Sequence, residues 1–228
     1  KTIFIGSGEF AVPILEKLLE MDYIDLSCVV TQPDKPAGRE KKLTPTPVAR
    51  FLESVEEDNY LPHQGSLVSN VEHKTYNVKH INLLRPDKIR VASQEILENY
   101  KPELISVAAY GQIIPDEMLN YPKYKCLNIH GSLLPQLRGA VPVSMAILQG
   151  LEETGVTIQR MVNEMDKGPV LQITNYKLKV NETSESLMQK KKKIGADLIA
   201  QLLPDWVKGK IQEKEQEESR ATYCYKED

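Results

Sequence analysis

The stretch CLNIHGSLLPQLRGAVP, residues 126–142, brings together side chains that can do chemistry. Asn128 and His130 are two residues apart on an apolar run, so on a β-strand both side chains leave the same face. Both stand where that strand must end, at a Gly-Ser turn. An imidazole moves protons near neutral pH, and an amide donates to a developing oxyanion, so the pair suits acyl transfer. Downstream, GVTIQRMVNEMDKGPVL puts Asp166 on a turn between two alternating runs, where a carboxylate could orient the imidazole and favour its protonated form. A capping histidine and an unrelated turn aspartate fit the same spacing.

The elements that would carry these residues read as an α/β chain. Thr2–Ile5, Ile24–Thr31, Leu104–Ala109 and Cys126–His130 are apolar, strand-like runs. Phe10–Met21, Val48–Val55, Ser93–Tyr100, Asp116–Asn120 and Val143–Leu148 have helical character. Val156–Val162 and Val170–Leu178 alternate as an antiparallel pair, and Thr183–Gln201 reads as a long amphipathic helix with Leu187, Ile194, Leu198 and Leu202 inward. Strands alternating with helices predict a doubly wound, mostly parallel, Rossmann-like sheet, with ligands beyond the carboxyl ends of its strands. Three loops fall there: after Ile5, after Ala109 and after His130. Residues 32–47, QPDKPAGREKKLTPTP, hold four prolines, which argue against a regular element, and Lys35, Arg39, Lys41 and Lys42 make the loop basic. Residues 56–86 have no sustained period; short strands are expected near Leu67–Val71 and Thr75–Leu83.

Composition narrows the class. With 41% hydrophobic and 27% charged residues, the 228-residue chain is ordinary globular material, large enough for one domain and a tail. No apolar run approaches the roughly 18 residues of a membrane helix. Cys28, Cys126 and Cys224 are too scattered for a disulfide framework or a zinc site, which favours a reducing, cytoplasmic setting. A net charge of −3 leaves any nucleic-acid contact to a local basic patch. The opening Gly6-Ser7-Gly8-Glu9-Phe10-Ala11 after a strand begins like a dinucleotide fingerprint. The acidic residue expected about 20 positions on has only Asp34 as a candidate, and that lies inside the basic loop, which weighs against NAD.

Four stretches together carry a resemblance: GSGEFAVPILEKL, TQPDKPAGREKKLTPTPV, AAYGQIIP, and LNIHGSLLPQLRGAVP followed by ETGVTIQRMVNEMDKGPVL. The chain resembles the catalytic domain of the methionyl-tRNA formyltransferase family, within the wider group of 10-formyltetrahydrofolate-dependent enzymes. The resemblance implies a Rossmann-like formyltransferase fold over residues 1–207. Asn128, His130 and Asp166 match the family's catalytic trio. Ser132, Leu133, Leu134 and Pro135 match the run lining the folate site, and Ala109, Tyr110, Gly111, Gln112, Ile113 and Ile114 the loop walling the pterin pocket. Arg39, Lys41 and Lys42 match the insertion that engages initiator methionyl-tRNA. A folate co-substrate, no metal, no membrane and a monomer are implied. The trio is shared by enzymes formylating amino sugar nucleotides or glycinamide ribonucleotide; the PAGR…KKL loop favours tRNA. A hydrolase releasing formate and a catalytically idle folate- or RNA-binding module are further alternatives.

Two departures stand out. Residues 63–84, with His63, His73 and His80, have no counterpart in the family pattern and read as a surface insertion. Residues 208–228 read as a charged linker or loose tail, where full-length relatives continue into a small β-barrel domain. The run Lys190–Lys193 reads as an exposed helix face, or else as extra phosphate contacts.

Overall fold

A computed structural model describes residues 1–60 and 81–225. Seven strands form the main sheet: β1 (Thr2–Gly6), β2 (Leu26–Val30), β5 (Asn82–Leu84), β6 (Leu104–Ala108), β7 (Cys126–His130), β9 (Glu153–Arg160) and β10 (Val170–Lys177). Their order is β10-β9-β7-β6-β1-β2-β5. The pairs joining β7, β6, β1, β2 and β5 are parallel; β9 and β10 continue antiparallel beyond β7. The doubly wound, mostly parallel sheet expected from the strand–helix alternation is therefore present.

Period-two burial explains the layering. On β1, Phe4 faces one side, where α1 (Val12–Leu19), α2 (Pro47–Tyr60) and α6 (Ser184–Trp206) supply Ile14, Leu18, Leu52, Ile199 and Leu202. Ile3 and Ile5 face the other, against Ile89, Ile96 and Met118 from α3 (Ile89–Tyr100) and α4 (Asp116–Asn120). A strand covered on both faces has no solvated side to mark with polar residues, hence the unbroken apolar runs. Each such buried side chain contributes about 1.5–3 kcal/mol. Parallel pairing also puts the carboxyl ends of β1, β2, β6 and β7 on one edge of the sheet, which gathers the loops after Gly6, Val30, Ala108 and His130.

Several elements differ from expectation. The proline-rich basic stretch contains a hairpin, β3 (Lys35–Ala37) and β4 (Lys42–Thr44), turning through Gly38 at φ +71° and Lys41 at φ +48°. An isolated two-stranded ribbon consists only of edges, so Pro36, which lacks an N–H, costs it no interior ladder bond. Helix α2 begins at Pro47, with Thr46 Oγ1 accepting from Ala49 N at 3.1 Å. Helix α3 begins four residues before the expected Ser93, and α6 runs through Pro204 to Trp206 from a reciprocal Thr183–Ser186 cap. Of its inward set, Leu187, Leu198 and Leu202 are buried and Ile194 is half-buried. The expected strand Leu67–Val71, most of Thr75–Leu83, and His63, His73 and His80 lie outside the described residues. The end of that span is β5, a sheet strand on β2 rather than part of a surface excursion.

The Lys190–Lys193 reading is corrected. Lys191 is fully buried, donating to Gly131 O and Thr154 Oγ1 at 2.7 Å each, and Lys190 is ion-paired with Glu182 at 2.7 Å. A tetrad of like residues on a helix spans more than a full turn, so one of them must face the core. The loose-tail expectation is corrected as well. Lys214 pairs with Val170, and β11 (Tyr223–Cys224) runs parallel to β8 (Arg138–Gly139), with Cys224 buried. Helix α5 (Pro142–Leu148) follows β8 directly. Among the described residues no helix is long and apolar enough to cross a membrane.

Candidate active site

Strand β7 delivers Asn128 and His130 to the same face, and β9 lies alongside in antiparallel register, Asn128 opposite Gln159 and His130 opposite Thr157. The chain leaving β9 turns back before β10, and Asp166 sits on that turn at φ +54°. Gly168 is required there: a Cβ would come within 1.7 Å of Arg160 O.

The Asp166 carboxylate is the hub. Its Oδ1 accepts from Asn128 Nδ2 at 3.3 Å and from Gln159 Nε2 at 2.8 Å. Its Oδ2 accepts from Gly139 N at 2.8 Å and faces His130 Nδ1 at 3.6 Å. On the other side of the ring, His130 Nε2 lies 2.9 Å from Leu137 O. A carbonyl oxygen only accepts, so Nε2 donates to Leu137 O, while Nδ1 stands beyond hydrogen-bond distance from the carboxylate. His130 is 6% exposed and the Asp166 side chain 11%, so the pair acts in a largely water-excluded site where charge interactions are strong.

The loop 131–137 that closes over the ring is pinned on several sides. Thr157 Oγ1 donates to Ser132 O at 2.7 Å and accepts from Leu134 N at 3.1 Å; Ser132 Oγ donates to Gln136 O; Pro135 O accepts from Thr222 N at 3.2 Å. Leu133 is half-buried beside Gly155.

The second loop follows β6. Ala109 (φ +45°) and Gly111 (φ +81°) turn the backbone, and Ala109 O accepts from Ser7 N and Gly8 N. The opening glycine turn is thus tied to this loop at the sheet edge. Gln112 caps α3, accepting from Ile89 N and donating to Asp87 O. Ile114 and Tyr110 are buried, whereas Ile113 is 85% exposed. The Tyr110 hydroxyl finds no partner among the described residues, and burial pushes it up to about 12.

The third loop is the basic hairpin. Arg39, Lys41 and Lys42 are exposed near its tip, whereas its base is braced: Arg85 bonds Asp34 and Glu53, and Gln32 links Lys35 to Tyr110 O. The hairpin is thus tied to the 109–114 loop through Gln32. Among the described residues no group of three or more His, Cys, Asp or Glu is arranged to hold a metal ion.

Sequence reasoning missed Gln159, the Gly139 amide and the Arg138–Gln216 pair. Thr157 and Gln159, polar residues alternating with Val156 and Ile158 on a strand, were a usable signal; Gln216, in a charged tail, had none.

The sequence model of the formyl transferase family matches residues 1–203. The methionyl-tRNA formyltransferase of Bacillus cytotoxicus is 41% identical over 227 residues, covering 99% of this chain and 64% of its own length. That of a Geobacillus species is also 41% identical, with 63% of its length covered. The chain thus spans just under two thirds of these relatives. Among solved structures, phosphoribosylglycinamide formyltransferase of Anaplasma phagocytophilum superposes with a TM-score of 0.68 at 19% identity, over 99% of this chain and 98% of that one. An N-formyltransferase of Helicobacter canadensis, in complex with folinic acid and dTDP-3-aminofucose, gives 0.68 at 17% identity, over 99% and 70%. At such identities these two speak to the fold.

Proposed function

Because the chain belongs to the formyl transferase family, we propose that it carries the catalytic unit of a methionyl-tRNA formyltransferase, moving a formyl group from 10-formyltetrahydrofolate to the α-amine of methionyl-initiator tRNA. The observation that supports this best is the convergence of Asn128 and His130 on the single carboxylate of Asp166 at the end of β7. The choice of acceptor rests on the basic hairpin and on the 41% identity to enzymes of that name.

The folate is a co-substrate. The loops 109–114 and 131–135 flank the trio and suit a flat, partly apolar ligand, with exposed Ile113 and half-buried Leu133 as contact surfaces. The methionyl amine, with an ordinary pKa of about 7.7–8, attacks as the free base. Asn128 and a protonated His130 hydrogen-bond the formyl oxygen as it gains charge; one such donor is worth roughly 3–4 kcal/mol. As the bond from the formyl carbon to the folate nitrogen breaks, His130 supplies a proton to that nitrogen and is restored by the proton the attacking amine releases, while Asp166 stands beside the ring. Arg39, Lys41 and Lys42 contact phosphates of the tRNA. A monomer working in the cytoplasm fits a partner of that size.

The test is formyl transfer to methionyl-initiator tRNA with an amino sugar nucleotide in parallel. Product on the tRNA, reduced at least about 10²-fold in His130→Ala, is expected. Transfer to the sugar alone, or near-normal turnover by the variant, would overturn the reading.

A further inference from the structure

Beyond the last residue matched by the family, residues 213–224 run back across the active site as a strap. The strap touches both loops that hold the trio. On one side, Lys214 and Val170 exchange backbone bonds at 2.8 and 2.9 Å, and Arg160 pairs with Glu213 at 2.8 Å. On the other, Leu137 N donates to Thr222 Oγ1, Arg138 N to Thr222 O and Ala140 N to Cys224 O, all within 3.0 Å. Gly139 allows this approach: it lies at φ +119°, and a Cβ would stand 2.1 Å from Cys224 O.

Between the two attachments lies Gln216. Its Nε2 donates to Asp166 O and Gly168 O, both at 2.7 Å, so the amide clamps the turn that carries the Asp166 carboxylate. Its Oε1 accepts from Arg138 Nε at 3.1 Å and Nη2 at 2.9 Å. Arg138 is fully buried; its remaining nitrogen reaches Glu218 and Tyr223 of the same strap. Arg138 directly follows Leu137, whose carbonyl meets His130 Nε2. One side chain therefore bonds the Asp166 turn and the loop that holds the far side of the His130 ring.

We infer that Gln216 is a positioning residue that sets the spacing of Asp166 from His130, resting on the proposed formyl transfer only for its kinetic readout. The amide is suited to the task because it donates to two carbonyls and accepts from a guanidinium at once. Neither a hydrocarbon nor a carboxylate can do both.

That chemistry separates anchoring from positioning. Gln216→Glu keeps acceptors for Arg138 and so keeps the strap seated, yet sets a carboxylate against the carbonyls of Asp166 and Gly168. Gln216→Ala loses both functions. The experiment measures kcat and KM for both co-substrates, thermal melting, and crystal structures of wild type and both variants. Expected is a fall in kcat of about 10- to 100-fold in Gln216→Glu, the scale of a displacement of about 1 Å at a reacting group, with both KM values within about threefold. Its melting temperature should stay close to wild type, and its crystal structure should show Asp166 withdrawn from the 3.6 Å spacing to His130 Nδ1. Unchanged kcat with an unmoved Asp166, or a loss fully explained by unfolded protein, would overturn the inference. Should wild type formylate neither acceptor, the functional reading fails, and the Asp166–His130 spacing in the two variant structures decides the inference by itself.

Discussion

Asp166 Oδ2 faces His130 Nδ1 at 3.6 Å while the same oxygen accepts the Gly139 amide at 2.8 Å. The carboxylate is thus held by the Gly139 amide and by the Asn128 and Gln159 side chains rather than by the imidazole, whose own hydrogen bond runs from Nε2 to Leu137 O.

Asp166→Asn tests this. The amide keeps the size but loses the charge, and its NH2 would oppose the donors Asn128 Nδ2, Gln159 Nε2 or Gly139 N. A fall in kcat of at least about 10²-fold is expected, with the folate KM little changed. Steady-state kinetics with either substrate varied would reveal it; a loss confined to KM would assign Asp166 to binding.

The basic hairpin makes a prediction independent of catalysis. Replacing Arg39, Lys41 and Lys42 together by Ala should lower the slope of log K for tRNA against log salt by about 2–3, at roughly 0.7–0.9 for each phosphate no longer neutralised. Filter binding across a salt series reads it directly. A slope equal to wild type would move tRNA recognition elsewhere.

Lys191 predicts a pH dependence of stability. Burial pushes its ammonium down to about 7 from an ordinary value near 10.5. Between these values the unfolded chain holds a proton that the folded chain has released, so stability rises with pH through that window; below about 7 both states are charged and the full cost of burial is felt. Lys191→Met removes the titrating group. Its stability relative to wild type should be greatest near pH 6 and decline steadily toward pH 10, followed by denaturant melts. A constant difference would mean that Lys191 titrates alike in both states.

The main sheet could be anticipated because apolar runs such as Leu104–Ala108 and Cys126–His130 record burial on both faces. Asn128 and His130 were recognisable because two-residue spacing is a local fact of a strand. Their link to Asp166 was not: it depends on how the turn between β9 and β10 folds over β7, which no local spacing encodes. The hairpin at Lys35–Thr44 escaped because proline is a weak veto where every strand is an edge. Lys191 escaped because composition reads a lysine run as solvated, whereas helix geometry turns one member inward. The strap was hardest to foresee, since Gln216 and Thr222 act through a few hydrogen bonds to residues about 50 to 85 positions earlier.

That separation has a consequence for the making of the protein. At a synthesis rate of about 5–20 residues per second, a ribosome releases Asn128, His130 and Asp166 some seconds before Thr222 and Cys224. A nascent chain in that interval holds Asn128, His130 and Asp166 and lacks the strap that bonds the loops around them. Long-range closures of this kind also come late in folding, because the loop entropy is spent before the contact forms. On the inference drawn above, the arrival of the strap, rather than the presence of Asn128, His130 and Asp166, marks the onset of a competent site.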